Sequence, residues 1–274
     1  MKFNKLTSFT SLFILPLLIS MQVITSHKVK EESEFNYIKG SEKGPEHWGQ
    51  LREEWDTCSN GHMQSPINLS DDKVKVMHHT EKLKGRYKPS NATLVNRGHD
   101  IMLKWVNEAG SIYVDGIEYF LIQCHWHSPS EHTINGRRYS LELHMVHENL
   151  EKKRAVVAIL YKIGRPDKFL SKLMGQISAI NDSKDGEIGV GLVDPKQIKV
   201  QPRKYYRYKG SLTTPPCTEG VTWNILKKVR SVSREQVQLL REAVHGEFKR
   251  NARPTQATKH RAVHFYIPGR ILPS

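Results

Sequence analysis

Between about residues 64 and 165 the chain breaks into short apolar runs divided by turn-forming residues, and this spacing restricts how it can build a core. Leu94-Val95, Ile101 to Val106, Ile112-Tyr113-Val114, Phe120 to His127, Tyr139 to His147 and Ala155 to Ile163 are strand-like in length and in content. Glu108-Ala109-Gly110, Asp115-Gly116 and Asn135-Gly136 stand between several of them. Two helices are expected around these strands. One follows Pro166 and sets Phe169, Leu170, Leu173, Met174 and Ile177 on a single face. The other opens at a capping box, Ser233 with Gln236, and stops before Gly246. Gly186-Glu187-Ile188-Gly189-Val190-Gly191 has no phosphate-binding spacing and reads as a loop. No internal repeat or linker divides the chain beyond a polar arm over residues 27–34. The predicted fold is mainly β, a single domain over residues 35–272 around a large, predominantly antiparallel central sheet with a few peripheral helices.

The first residues address the chain to the secretory pathway. Lys2 and Lys5 precede the apolar stretch Leu12 to Ile19, and small and polar residues follow up to Ser26. That is the pattern of a signal peptide over residues 1–26. The stretch contains Pro16 and is too short to span a bilayer, so no membrane partner is expected. The mature chain is then a soluble protein of an oxidising lumen, bound for the extracellular space or apoplast, where cysteines can pair. Cys58 and Cys217 sit in loop-like settings, whereas Cys124 lies inside the apolar run Phe120 to Trp126 and reads as a buried thiol. The expected disulfide joins Cys58 to Cys217 and leaves Cys124 free. For so long a loop, chain entropy supplies at most about 5 kcal/mol. Asn68, Asn91 and Asn181 each open a glycosylation sequon, and Asn91, in a polar segment after Pro89, is the expected main carrier.

Charge narrows the partners. Lys and Arg total 42 against 28 Asp and Glu, a formal charge of +14 that attracts polyanions of any kind. No run of five or more basic residues occurs and no nucleic-acid motif accompanies the charge, so no nucleic-acid partner is expected. The charge reads as dispersed and solvated, with an acidic polysaccharide as the one polyanion contact it would support.

The segment Gln123-Cys124-His125-Trp126-His127 carries the chemistry. Side chains alternate along a strand, so Gln123, His125 and His127 share one face and Cys124 and Trp126 point away. Histidines at i and i+2 lie roughly 6–7 Å apart at the backbone, a gap their rings can close onto one small cation. A lone pair of this kind is most often structural. A second strand-like run, Glu142-Leu143-His144-Met145-Val146, adds a third imidazole with an acid two residues back on its own face. Metal-bound histidines need acceptors that fix ring orientation and tautomer; Gln123 suits His125 and Glu142 suits His144. Three imidazoles with no thiolate or carboxylate leave a fourth position for water, as in catalytic zinc sites.

The chain here resembles the alpha class of carbonic anhydrases, from about Tyr37 to about Ile271. The matching pieces, in order, are Gly44 to Gly49, Gln64-Ser65-Pro66-Ile67, Gly98-His99, Gln123 to His127, Ser130-Glu131-His132-Thr133, Glu142-Leu143-His144 and Ser211-Leu212-Thr213-Thr214-Pro215-Pro216. Asn96-Arg97-Gly98-His99-Asp100, with Cys124 before the first ligand, is similar to the plant secretory branch with its nectarin-like and tuber-storage members. The resemblance implies zinc on His125, His127 and His144, and reversible hydration of carbon dioxide to bicarbonate and a proton. Zinc on three neutral histidines lowers its water's pKa to about 7, which generates hydroxide at neutral pH.

The resemblance also assigns roles. Val146, Val156, Leu212, Thr214 and Trp223 line a pocket for the small apolar substrate. Thr213 gives its one hydroxyl proton to Glu131, so that its oxygen only accepts from the hydroxide and aims it. His99 carries the released proton to solvent, a task suited to an unperturbed pKa near 6.5. Around it stand Arg97, Asp100 and Met102, departures from the best-known animal members. In an extended segment Arg97 shares the face of His99 and disfavours its protonation, while Asp100 points away. The alternative is a catalytically minor storage or binding member of the same fold, with weak thiol redox activity; this chain keeps all three ligands, Thr213 and Glu131, and carries no dinucleotide fingerprint. Some plant members are thought to reach the chloroplast stroma through the secretory route, the alternative destination.

Overall fold

The computed structural model describes residues 33–79, 83, 85–180, 186–200, 202–244 and 246–268. The expected signal peptide and Asn181 lie outside the described residues. Strands form where the apolar runs predict them. In chain order they are β1 (Asn68–Leu69), β2 (Lys75–His79), β3 (Gly85–Tyr87), β4 (Ser90–Asn96), β5 (Ile101–Trp105), β6 (Gly110–Val114), β7 (Ile117–His127) and β8 (Thr133–Ile134). They continue as β9 (Arg137–Arg138), β10 (Leu141–Glu148), β11 (Arg154–Ile163), β12 (Glu187–Val193), β13 (Tyr205–Ser211), β14 (Glu219–Leu226), β15 (Arg230–Val232) and β16 (His264–Pro268). The α-helices are α1 (Trp48–Leu51), α2 (Thr57–Asn60), α3 (Lys168–Ala179) and α4 (Arg234–Glu242).

Thirteen strands share one sheet, whose spine runs β12-β4-β5-β7-β10-β11-β14-β13-β16-β2. The sheet is mixed: β11 runs parallel to β14 and β15, and β16 parallel to β2, while its other pairings are antiparallel. Parallel neighbours need a long crossover, and between β11 and β14 the chain passes through α3, β12 and β13. Apolar material covers both faces of the central strands. Val157, Ile159 and Tyr161 of β11 pack with Leu173 and Ile177 of α3 and Leu240 of α4. Val156, Ala158 and Leu160 pack on the opposite side with Trp223, Ile225 and Tyr206. That two-sided burial is why Ala155 to Ile163 reads as a continuous apolar run.

Both expected helices form. Asp167 caps α3 by accepting from Phe169 N and Leu170 N at 3.0 and 2.9 Å. The Ser233–Gln236 capping box opens α4. The glycine-rich segment expected as a loop is instead the edge strand β12, paired antiparallel with β4 through a register shift between Gly189 and Gly191. Ladder hydrogen bonds need no side chains, and glycine at φ 69° tolerates the bulge. Cys58 and Cys217 form the expected disulfide, with Cα atoms 5.0 Å apart, and Cys124 is free and fully buried. Asn68 is tied to Ser70, Thr133 and Gly136 by its side chain, whereas Asn91 is exposed. Among the described residues no helix is long and apolar enough to cross a membrane.

Gly110 opens β6 where it pairs with β3 and allows the two backbones to meet. Its φ is +99°, and a Cβ there would lie 2.1 Å from the Arg86 carbonyl oxygen. Gly110→Ala is therefore expected to cost about 2 kcal/mol or more, read as a lower denaturation midpoint. An unchanged midpoint would show that the turn relaxes.

Candidate metal centre

Register builds the centre. β7 and β10 are antiparallel neighbours, and their pairing sets His144 opposite His125 and Glu142 opposite His127. On its other side His144 faces Ala158 of β11, a small residue that leaves room for the ring. The next row across the sheet reads Gln123, Val146, Val156, Trp223. Alternation sends Cys124, Trp126, Leu143 and Met145 into the opposite core. The three rings lie with centroids 5.0, 5.2 and 4.6 Å apart, and one nitrogen of each falls within 4.8 Å of the others.

Each ring has one nitrogen committed to an acceptor. His125 Nδ1 donates to Gln123 Oε1 at 2.9 Å, His127 Nδ1 to the Asn251 carbonyl at 2.7 Å, and His144 Nε2 to Glu142 Oε1 at 2.7 Å. These bonds leave lone pairs on His125 Nε2, His127 Nε2 and His144 Nδ1. His127 Nε2 is buried with no hydrogen-bond partner. Burial lowers the pKa of His125 and His144, so both rings are neutral and able to ligate at neutral pH. Three fixed, convergent imidazoles, each with one nitrogen left to ligate, fit a tetrahedral cation that keeps one position for water.

Glu142 anchors this arrangement. Its Oε1 also accepts from His132 Nδ1 at 2.7 Å, and its Oε2 accepts from the backbone N–H groups of Glu131 and His132 at 2.8 Å. Burial works against its charge, but His132, His144 and their hydrogen bonds outweigh it and hold the carboxyl well below its usual range. Because His132 Nδ1 donates to a carboxylate, its Nε2 accepts from the Tyr208 hydroxyl at 2.7 Å, and Tyr208 accepts in turn from Ser65 at 2.8 Å.

Val146, Val156, Leu212, Thr213, Thr214 and Trp223 line one pocket of about 230 Å³, onto which Gln123, His125 and His144 also open. Thr213 lies in a loop closed by hydrogen bonds from Leu212 N to Thr218 O and from Cys217 N to Thr214 O, both 2.9 Å, and tied down by the disulfide. Glu131 Oε1 accepts from Arg253 N at 3.0 Å. Its Oε2 is buried without a hydrogen-bond partner, 3.6 Å from His127 Nε2 and 4.0 Å from His144 Nδ1.

His99 stands apart from that pocket. Residues 97–100 form a turn, not the expected extended segment: Arg97 N donates to Asp100 O, and Gly98 has φ 79°. The turn corrects the placement of Asp100, which is fully buried, paired with the Arg97 guanidinium and 3.7 Å from His99 Nε2. Burial opposes the Asp100 charge, but Arg97 and the neighbouring histidines hold its carboxyl well below its usual range. The His99 ring packs 5.5 Å from Phe35 and 6.2 Å from Phe248, and burial lowers its pKa to about 4. Arg97, not His99, reaches the pocket wall.

Sequence reasoning missed His132, Tyr208 and Asn251. His132 follows Glu131 in a matching motif, the one signal available. Asn251 serves through its carbonyl, which no residue type advertises.

A family model for eukaryotic-type carbonic anhydrases matches residues 43–267. Alpha carbonic anhydrase 7 of Arabidopsis thaliana is 54% identical over 262 residues, 95% of each chain. Carbonic anhydrase Nec1 of Nesocodon mauritianus is 49% identical over 96% of each. A crystal structure of dioscorin complexed with ascorbate superposes with a TM-score of 0.84 at 45% identity, covering 88% of this chain and 100% of that one. The alpha carbonic anhydrase of Thermovibrio ammonificans, in complex with the inhibitor sulfanilamide, gives a TM-score of 0.75 at 34% identity over 84% of this chain and 98% of its own. By sequence along most of its length and by fold, the chain belongs to the eukaryotic-type, alpha-class carbonic anhydrase family.

Proposed function

We propose that the protein catalyses the reversible hydration of carbon dioxide to bicarbonate and a proton, with zinc held by His125 Nε2, His127 Nε2 and His144 Nδ1. The observation that carries this reading is the convergence of three lone pairs beside an apolar-walled pocket. Zinc, when bound, supplies a water acidified to a pKa of about 7. The chain's own residues do the rest. Val146, Val156, Leu212 and Trp223 offer carbon dioxide an apolar wall, suited to a small molecule with no charge to grip. Thr214 completes that wall. Thr213 would give its hydroxyl proton to Glu131 Oε2, a buried acceptor with no hydrogen-bond partner in the structure. The threonine oxygen is then an acceptor only, and it orients the attacking oxygen.

His99 is proposed to carry the proton from a rotamer turned toward solvent. As packed, burial lowers its pKa to about 4 and disfavours the protonated ring at pH 7. Freed from the aromatic cluster it regains the ordinary imidazole range. The redox alternative has no observation in its favour: Cys124 is fully buried and burial pushes its thiol up, away from reactive thiolate. The signal pattern of residues 1–26 and the disulfide support a secretory route, with Asn91 the exposed one of the two described sequons.

His144→Ala is expected to lose most bound zinc and at least about 100-fold in carbon dioxide hydration together, measured by metal analysis and stopped-flow. Full zinc with normal turnover would overturn the ligand assignment. For the proton path, Phe35→Ala is expected to raise turnover in dilute buffer several-fold, and adding His99→Ala to remove that gain. Equal turnover in the single and double variants would assign proton removal to buffer alone.

A further inference from the structure

A second cavity, unrelated to the metal centre, opens at the far end of β11. Val156 of this strand lines the metal pocket; Lys162, six residues on and about 20 Å away, lines a cavity of about 920 Å³. Its walls come from the end of β11, the start of α3, the segment between β12 and β13, and the turn from β14 to β15. Six exposed cations face it: Lys162, Lys168, Lys199, Arg203, Lys204 and Lys228. No carboxylate pairs with any of them among the described residues. The one acid on the wall, Asp167, is spent on the α3 N-terminus. Lys227 is spent on Asp71 and Tyr206.

The cavity is held open by its own bonds. Arg230 donates to the Ile198 and Lys199 carbonyls and fixes Lys199 at φ 56°, in the left-handed region. No run of basic residues in the sequence foretells this site, because the cations arrive from separate segments. Like charges gathered with nothing to neutralise them repel one another, and an anionic guest removes that cost.

We infer that this cavity binds an acidic oligosaccharide, a chain of carboxylates spaced along a non-aromatic body. Its volume suits a ligand of several sugar rings. Pro166, Pro202 and Val229 give ring faces an apolar floor. Five of the six free cations are lysines, point charges that match separated carboxylates rather than a bidentate phosphate. The only aromatic wall residue, Phe169, is buried, so there is no platform on which nucleic-acid bases could stack.

Binding of a labelled oligogalacturonate, followed by fluorescence anisotropy at low and high salt, tests this. Wild-type protein is expected to bind at low salt and release at high salt. The combined variant Lys199→Glu, Arg203→Glu, Lys228→Glu is expected to lose about tenfold or more in affinity. Lys39→Glu, Lys104→Glu, Lys249→Glu, with the same net charge, is expected to stay within about threefold. Lys162→Gln with Lys204→Gln repeats the first test more gently, and thermal melts verify folding of all variants. No binding at low salt, or equal loss in the two triple variants, overturns the inference. Tighter binding of a single-stranded DNA of matched charge would make nucleic acid the occupant and overturn it as well.

Discussion

The centre depends on one buried carboxylate. Glu142 is fully buried, and a lone charge there would be costly. Four donors converge on it: two ring N–H groups and two backbone N–H groups. The same four bonds fix the tautomer of His144, the ring of His132 and the backbone of Glu131 and His132, so one acid ties β10 to the loop that precedes β8. Removing the carboxylate leaves those donors unpaired in the interior, where each unmade bond costs about 1–3 kcal/mol.

The sheet constrains the centre just as tightly. Because side chains alternate, a one-residue slip of β10 against β7 would turn His144 into the apolar core and bring Leu143 or Met145 to the pocket. Burial on both faces forbids that slip. The heavy packing of Val157, Ile159, α3 and α4 on the far side therefore serves the metal face without touching it.

Much of this could be read from residue order. Alternation gave the strand faces, the three histidines and the acceptors Gln123 and Glu142, since all are local and periodic. What escaped was non-local or conformational. β12 is a strand only because β4 offers it a backbone edge. The 97–100 turn folds Arg97 onto Asp100, whereas an extended reading separates them. His127 is steadied by a carbonyl from residue 251, and the basic cavity gathers cations that lie far apart along the chain.

The disulfide joins cysteines 159 positions apart in sequence, and the third cysteine lies between them. A chain made from its N-terminus exposes Cys58 first, then Cys124, and Cys217 last. The thiol that follows Cys58 most closely in the sequence is thus not its partner. Pairing of β7 with β5 and β10 places Cys124 in the interior of the fold, where it is fully buried. Burial of that residue therefore has a second consequence: it keeps a competing thiol inside the core and away from the disulfide.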